Sequence, residues 1–299
     1  MGSEGQPVEF AAEYWRSLCP GCTVPDAPAA ANSKNSPPLQ LSKPFLKTVV
    51  PGLQERMDRD GYFDVAASQL IAAQPRYGEL VEQLGVAVRH LVGAGWPASF
   101  VVVYDEAWEL VELLSPLVRR ATGGNECMMD LVAWHVDPDK GQAGFTPHRD
   151  RHLGLEDANT DAVAAGFRKS DGRSPRDSTC WIALSKSVAD NGCLYMLPRG
   201  ADPAYALGDC SAAAGGRRWA QPPQPATFAL EAGPLGCPVY APSSASAWQH
   251  VRCVPCDTPG SLVCFSHRII HWGSRGRPGS VSNARTKNVG KSHSCMSSK

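Results

Sequence analysis

A histidine and an aspartate two residues apart, His148 and Asp150, have the types and spacing of metal ligands. In an extended segment, residues i and i+2 lie on the same side of the chain, so both side chains can bind one ion. Two histidines and one carboxylate on one face of an octahedron are the ligands of non-haem Fe(II) oxygenases. A further histidine from elsewhere in the chain would complete such a set.

The same spacing occurs a second time, at His135 and Asp137, among the eight histidines of the chain. A three-residue pattern of two common residue types occurs by chance, so neither pair establishes a metal site by itself. The alternative for either pair is a surface histidine that forms a hydrogen bond with the nearby aspartate. The neighbouring segments must therefore decide between the two interpretations.

The apolar spacing predicts helices in the first part of the chain and strands in the second. Pro116 is expected to kink the second helix or to end it early. Two long polar segments, 151–178 and 199–250, are expected to cover a binding site or to be disordered. The predicted helices cover 67–92 and 105–122, and the predicted strands cover 129–136, 179–184, 192–197 and 260–272.

The composition excludes several classes of protein. The 299 residues contain 29 basic and 29 acidic side chains, which argues against a nucleic-acid-binding protein with a generally basic surface. Apolar runs are too short for a membrane span, and the first residues do not form a secretory signal, so a cytoplasmic protein is expected. The two Cys-x-x-Cys pairs, Cys19 with Cys22 and Cys253 with Cys256, are expected to be reduced thiols in unrelated turns rather than a zinc or redox site.

Four segments, taken in chain order, resemble the phytanoyl-CoA dioxygenase family of 2-oxoglutarate-dependent oxygenases. They are a His-x-Asp segment, a Trp-x-Ala-Leu strand, an Asn-Gly-x-Leu turn and a Gly-x-Leu-x-x-Phe strand that ends in a histidine: 145–150, 179–184, 190–200 and 260–274. The resemblance covers about residues 45–286. The chain departs from the family in the turn Pro198-Arg199-Gly200 and in the polar sequence after Thr286, where the family continues with an apolar strand.

The resemblance implies that His148 and Asp150 are the proximal metal ligands and that His271 is the distal ligand. His267 is the alternative for the distal position, and the two histidines would share a face if 260–272 formed one strand. The family pattern places the ligand eleven positions after the glycine that opens the strand, which favours His271 over His267. His250 is expected in a loop.

The resemblance also implies an arginine that binds the distal carboxylate of 2-oxoglutarate, because a guanidinium forms a bidentate pair with a carboxylate. Arg285 matches the family segment best, whereas Arg275 and Arg277 flank a turn. Trp181 resembles a tryptophan beside the cosubstrate pocket, and packing in the core is an equally good account of it.

The fold that the resemblance implies is mainly β with flanking helices, a double-stranded β-helix or cupin-like jelly-roll over 45–286. Residues 1–44 are expected to form an arm and linker, and 287–299 a polar tail. The cofactors would be Fe(II), 2-oxoglutarate and O2. In related halogenases a small residue replaces the ligating aspartate, so the presence of Asp150 favours hydroxylation. The expected substrate is a small or lipid-like molecule, and the alternative function is a metal-binding jelly-roll without oxygenase activity.

Overall fold

The structure is a computed structural model of the whole chain. The segments 151–178 and 199–250, expected to cover a site, lie largely outside the residues that it describes. Those residues are 11–25, 39–142, 144–150, 174–202, 205, 228–232, 238–242, 245–274, 276–279 and 283–291.

In the described residues, five α-helices precede most of the strands, in agreement with the helical part that the apolar spacing predicted. The single helix expected over 67–92 is two helices, because a proline at position 75 disfavours helical geometry at Gln74, whose φ is −159°. The helix that contains Pro116 does not end there, because buried leucines on both sides of the proline anchor it to the core. The helices are α1 (Ala12–Leu18), α2 (Lys43–Asp60), α3 (Ala67–Ala73), α4 (Arg76–Gly93) and α5 (Asp105–Ala121).

The strands form antiparallel sheets of five, three and two strands, with the orders β1-β8-β3-β10-β2, β7-β4-β9 and β5-β6. Short 3-10 turns connect several of them, including Ala245–His250. The strands are β1 (Tyr62–Val65), β2 (Glu126–Val136), β3 (Asp177–Ala183), β4 (Leu194–Leu197), β5 (Phe228–Ala232), β6 (Pro238–Pro242), β7 (Arg252–Val254), β8 (Leu262–Ser266), β9 (Ile270–Gly273) and β10 (Asn283–Lys291).

The five-stranded sheet lies between the helices and the three-stranded sheet. On β3, Cys180 and Ile182 pack in a core that the helices share, whereas Trp181 and Ala183 pack with Leu194 of β4. This alternation is the period of two that a strand imposes on its side chains. Two facing antiparallel sheets with helices outside agree with the mainly β fold that was expected.

The expectation of one continuous strand over 260–272 is wrong. The chain turns after β8, where the Ile269 amide donates to the Ser266 carbonyl at 3.0 Å, and it then enters the other sheet as β9. His267 lies in this turn and His271 on β9, so the two histidines do not share a strand face. The turn carries the chain from the five-stranded sheet to the three-stranded one.

Parts of the fold extend beyond the domain boundaries that were expected at residues 44 and 286. In the arm, Trp15 and Leu41 are buried in the helical core. The polar sequence after Thr286 continues β10 to Lys291, in the interior of the five-stranded sheet between β2 and β3. The boundary at 286 therefore falls inside a strand, because hydrogen bonds to two neighbours stabilise β10 without an apolar pattern. Within the described residues, no helix combines the length and the apolar character needed to cross a bilayer.

Candidate metal centre

Backbone pairing brings the two histidines of the predicted ligand set, His148 and His271, together. The segment that ends at Asp150 runs antiparallel to β9, and His148 and His271 exchange two backbone hydrogen bonds of 3.0 and 2.9 Å. Directly paired residues of antiparallel strands project to the same side, and here the imidazole centroids lie 4.4 Å apart. Residues 123 positions apart in sequence are thus neighbours because of one β-bridge.

The remaining hydrogen bonds orient both imidazoles toward Asp150. Nδ1 of His148 donates to the Thr146 carbonyl at 2.7 Å, and Nδ1 of His271 donates to the Ile269 carbonyl at 3.3 Å. A carbonyl oxygen only accepts, so each ring carries its proton on Nδ1 and keeps the Nε2 lone pair available for a metal. Each Nε2 atom lies 3.5 Å from Oδ1 of Asp150.

The other carboxylate oxygen of Asp150 accepts a hydrogen bond from the hydroxyl of Thr179 on β3, with an Oγ1–Oδ2 distance of 2.5 Å. Thr179 is fully buried. A short bond to an ionised acceptor is among the stronger hydrogen bonds in proteins, and it holds the carboxylate in one orientation. Oδ2 is therefore occupied by the protein, while Oδ1 faces the two histidine nitrogens.

The three groups fit a divalent metal ion. Their ligand atoms all lie within 4.8 Å of one another, and they are the single such cluster of His, Cys, Asp and Glu in the described part of the chain. Neighbouring ligands of an octahedral ion at about 2.1 Å are about 3 Å apart, close to the 3.5 Å between each Nε2 and Oδ1. Two imidazoles and one carboxylate suit Fe(II), and they also suit other first-row divalent ions.

Arg149, between the two proximal ligands in sequence, is directed away from them into the protein. Its side chain is 1% exposed and donates to Oδ2 of Asp202 at 2.7 Å and to the Arg268 carbonyl. Arg268 belongs to the turn that precedes His271. The buried guanidinium thus connects the segment of His148 and Asp150 to the turn that leads to the third ligand.

A cavity of about 330 Å³ opens beside the three ligands. Its wall is mostly aromatic, and the backbones of Gly144 and Gly273 form part of it. A Cβ on Gly144 would lie 2.6 Å from the Gly273 Cα, so glycine is required for this close approach. The lining residues are Trp134, His135, Val136, Gln142, Gly144, Phe145, His148, Trp181, Leu194, Phe265, His271, Trp272 and Gly273.

Trp181, predicted beside a cosubstrate pocket, is 3% exposed and both lines this cavity and packs in the core. The backbone of Arg285 is paired with Trp134 and Ala183, two residues on the face of the sheet that is directed toward the cavity. Lys287 occupies the same face, opposite Trp181. The strand register is therefore compatible with either Arg285 or Lys287 of β10 as the residue that binds the carboxylate of a cosubstrate.

The other two arginine candidates, Arg275 and Arg277, precede β10 in the chain. Arg277 is 80% exposed, its side chain lies 3.4 Å from the Asp190 carboxylate, and it is not one of the described residues that line the cavity. Arg275 lies outside the described residues. The candidates for the cosubstrate anchor that the register supports are therefore on β10.

Within the described residues, the other candidate histidines and the cysteine pairs do not join the cluster. His267 is buried in the turn before β9, and His250 is exposed in a 3-10 turn. His135 lines the cavity, but Asp137 accepts from the Asp139 amide instead of completing a second ligand set. Burial lowers the pKa of His135, and the nearby Asp137 opposes that shift.

Both Cys-x-x-Cys pairs stay outside any metal cluster of the described residues. The Sγ atoms of Cys19 and Cys22 are 3.3 Å apart at the buried end of α1, where burial raises the pKa of Cys22 far above its usual range. Cys253 is exposed, and its Sγ lies 3.2 Å from that of Cys193.

Sequence reasoning did not identify Thr179 or the aromatic wall. A signal for Thr179 was present, because it lies two residues before Trp181 in the predicted strand and hence on the same face. Phe145 and Trp272 flank the predicted ligands in sequence, but the antiparallel contact between their segments needed the structure.

Solved structures with the same fold are found among non-haem enzymes. The alpha-ketoglutarate-dependent epimerase SnoN from nogalamycin biosynthesis matches with a TM-score of 0.50 and 16% identity, over 82% of this chain and 81% of SnoN. SnoN in complex with Fe3+, alpha-ketoglutarate and nogalamycin RO gives 0.51 and 15%, over 82% and 84%. The chain has the fold of non-haem 2-oxoglutarate-dependent enzymes. No protein-family model matches the chain, and no curated protein matches its sequence.

Proposed function

We propose that the protein is an Fe(II)- and 2-oxoglutarate-dependent dioxygenase related to the phytanoyl-CoA dioxygenase family, which hydroxylates a C–H bond of a small or lipid-like molecule. The observation that carries the proposal is the convergence of His148 Nε2, His271 Nε2 and Asp150 Oδ1 beside a cavity. The fold that the chain shares with SnoN, which binds Fe3+ and alpha-ketoglutarate, supports it.

The residues of this chain would hold and shield the reacting groups. The carbonyls of Thr146 and Ile269 fix the histidine tautomers, and Thr179 fixes the carboxylate of Asp150. When bound, Fe(II) would couple the decarboxylation of 2-oxoglutarate by O2, which yields succinate and CO2, to hydroxylation of the substrate. The aromatic wall would keep water away from the reacting C–H bond.

The proposed anchor of the cosubstrate is Arg285. A bidentate guanidinium–carboxylate pair in a partly dry pocket contributes about 2–5 kcal/mol, so Arg285→Gln is expected to weaken 2-oxoglutarate binding at least about thirtyfold. Lys287→Gln tests the second cation on that face, and Arg277→Gln is the exposed control. A large loss in Arg277→Gln alone would move the anchor to the turn.

The central test measures succinate from 2-oxoglutarate in purified protein with Fe(II) and O2, with and without candidate substrates. His148→Ala, Asp150→Ala and His271→Ala should abolish succinate formation, while the exposed His250→Ala should leave it unchanged. Activity retained in His271→Ala but lost in His267→Ala would refute the ligand assignment.

The mass of the product distinguishes the possible reactions. Hydroxylation adds one oxygen atom to the substrate, whereas epimerisation, the reaction named for SnoN, leaves its mass unchanged. Metal binding without any succinate would instead support the alternative of a metal-binding module without oxygenase activity.

A further inference from the structure

Of the three large hydrophobic side chains that are exposed in the described residues, one lines the cavity beside the metal ligands and a second contacts a residue of its lining. Phe145 and Trp248 are each 50% exposed, and the third, Ile71, is on a helix elsewhere. Phe145 lines the cavity, and Trp248 contacts the lining residue Trp272 edge-to-face at 6.0 Å. Apolar surface concentrated in this way at a cavity marks a binding site for an apolar ligand.

Further rings fix the orientation of these aromatic side chains. Phe145 packs edge-to-face on Trp134 with centroids 5.0 Å apart, and Trp272 stacks on Tyr195 at 5.7 Å with an interplanar angle of 13°. Rings held by other rings lose little conformational freedom when a ligand binds, which favours planar partners. The Phe145 centroid is also 5.8 Å from that of His148, so a molecule stacked there would be adjacent to the metal ligands.

The charge of the wall restricts the ligand further. Among the described residues that line the cavity there is no Asp, Glu, Lys or Arg. Apart from the two metal-ligand histidines and the indole N–H groups, the polar side chains of the lining are the amide of Gln142 and the imidazole of His135, whose pKa burial lowers in favour of the neutral ring. The cations of β10, Arg285 and Lys287, are assigned to the cosubstrate carboxylate, so a charged substrate group placed among these lining residues would lose its hydration without a compensating ion pair.

Building on the proposed function, we propose that the substrate is an uncharged planar aromatic molecule whose ring system stacks against Phe145 and the Trp248–Trp272 pair. The two neutral polar groups can form hydrogen bonds with a hydroxyl or carbonyl on the ring. A volume of about 330 Å³ is at the small end of ligand sites and must also hold the cosubstrate, which limits the inserted part to a small ring system.

The test compares three ligands of nearly equal size by calorimetry, with the protein loaded with Fe(II) and 2-oxoglutarate without oxygen. They are 2-naphthol, its saturated counterpart 2-decalol, and the anion 2-naphthoate. 2-Naphthol is expected to bind about tenfold more tightly than either of the others. Phe145→Leu and Trp248→Leu should each weaken 2-naphthol about fivefold and leave 2-decalol unchanged, because the first removes a ring of the wall and the second removes the ring that packs against Trp272.

The control is Ile71→Ala, which removes the exposed hydrophobic side chain on the helix and should change no affinity. Both cavity variants alter half-exposed side chains, and circular dichroism would verify that they fold. Equal affinity for 2-naphthol and 2-decalol, or no effect of either variant, would overturn the aromatic assignment, and tighter binding of 2-naphthoate would overturn the uncharged one. Succinate formation without substrate is measured separately, so failure of the proposed chemistry is distinguishable from failure of this substrate class.

Discussion

Replacing Thr179 by valine tests whether the protein orients the metal-binding carboxylate. Valine has nearly the shape of threonine but lacks the hydroxyl that donates to Oδ2 of Asp150 at 2.5 Å. A hydrogen bond to a charged group contributes about 1.5–3 kcal/mol, and the donor of this bond, Thr179, is fully buried. At about 1.4 kcal/mol per factor of ten, its loss corresponds to a weakening of metal binding by about 10- to 100-fold.

The measurement is a titration of the apoprotein with Mn(II), followed by the decrease of the electron paramagnetic resonance signal of the free ion. Thr179→Ser is the matched control, because serine keeps the donor and removes one methyl group. We expect Thr179→Ser to bind Mn(II) within a few-fold of the unchanged protein and Thr179→Val to bind it at least tenfold more weakly.

Two results would refute this reasoning. Equal Mn(II) affinity in Thr179→Val and the unchanged protein would show that the hydrogen bond does not position Asp150 for a metal. An equal loss in Thr179→Ser and Thr179→Val would show that keeping the hydroxyl does not preserve metal binding, and it would assign the effect to altered packing at position 179. Thermal unfolding of both variants establishes that the titrations compare folded proteins.

Three further predictions concern the surroundings of the ligands. Arg149→Met should lower the free energy of unfolding by about 3–5 kcal/mol, because it breaks a buried ion pair, and a double-mutant cycle with Asp202→Asn in denaturant unfolding should show coupling between the two. Gly144→Ala should weaken Mn(II) binding in the same titration, because its Cβ would displace the Gly273 backbone on the strand that carries the third ligand; unchanged affinity would contradict this. The pKa of His135 is lowered in the folded state, so the unfolded state binds a proton at this residue first as the pH falls, and the free energy of unfolding decreases below the ordinary histidine pKa. His135→Gln should therefore reduce the difference between the free energies of unfolding measured at pH 8 and at pH 5.

The three proposed ligands were found by combining local signals with the family resemblance. His148 and Asp150 share one side of an extended segment, and His271 follows a strand that is readable from its apolar residues. The structure brings these three residues together. Their convergence does not require the single strand expected over 260–272, which is two strands in the structure.

The supporting contacts could not be predicted, because they depend on register and on turns. The bond between Thr179 and Asp150 joins a strand of one sheet to a segment paired with the other. The pairing of Arg149 with Asp202 depends on how the chain folds after residue 198. Neither contact produces a periodic pattern in the sequence, because each contact needs only one hydroxyl or one carboxylate at a single position.

The last strand shows a different limit. Residues 283–291 are mostly polar and lack the alternation that identifies a half-buried strand, so the sequence indicated a tail beyond 286. In the structure they are paired on both sides, with β2 and with β3. A strand between two neighbours obtains its stability from backbone hydrogen bonds to residues far away in sequence, and local composition does not report them.

The candidate centre lies where the two sheets meet, and this explains why its ligands and their supports come from different sheets. His271 is on the three-stranded sheet, the segment of His148 and Asp150 pairs with it, and Thr179 reaches Asp150 from the five-stranded sheet. Backbone pairing sets the positions of the two histidines, whereas the orientation of the Asp150 carboxylate also depends on the packing of the two sheets. A metal ion bound there would favour the packed arrangement by mass action, since the unfolded chain does not hold the three groups within 4.8 Å. The geometry of the ligands and the packing of the sheets are thus linked in one equilibrium.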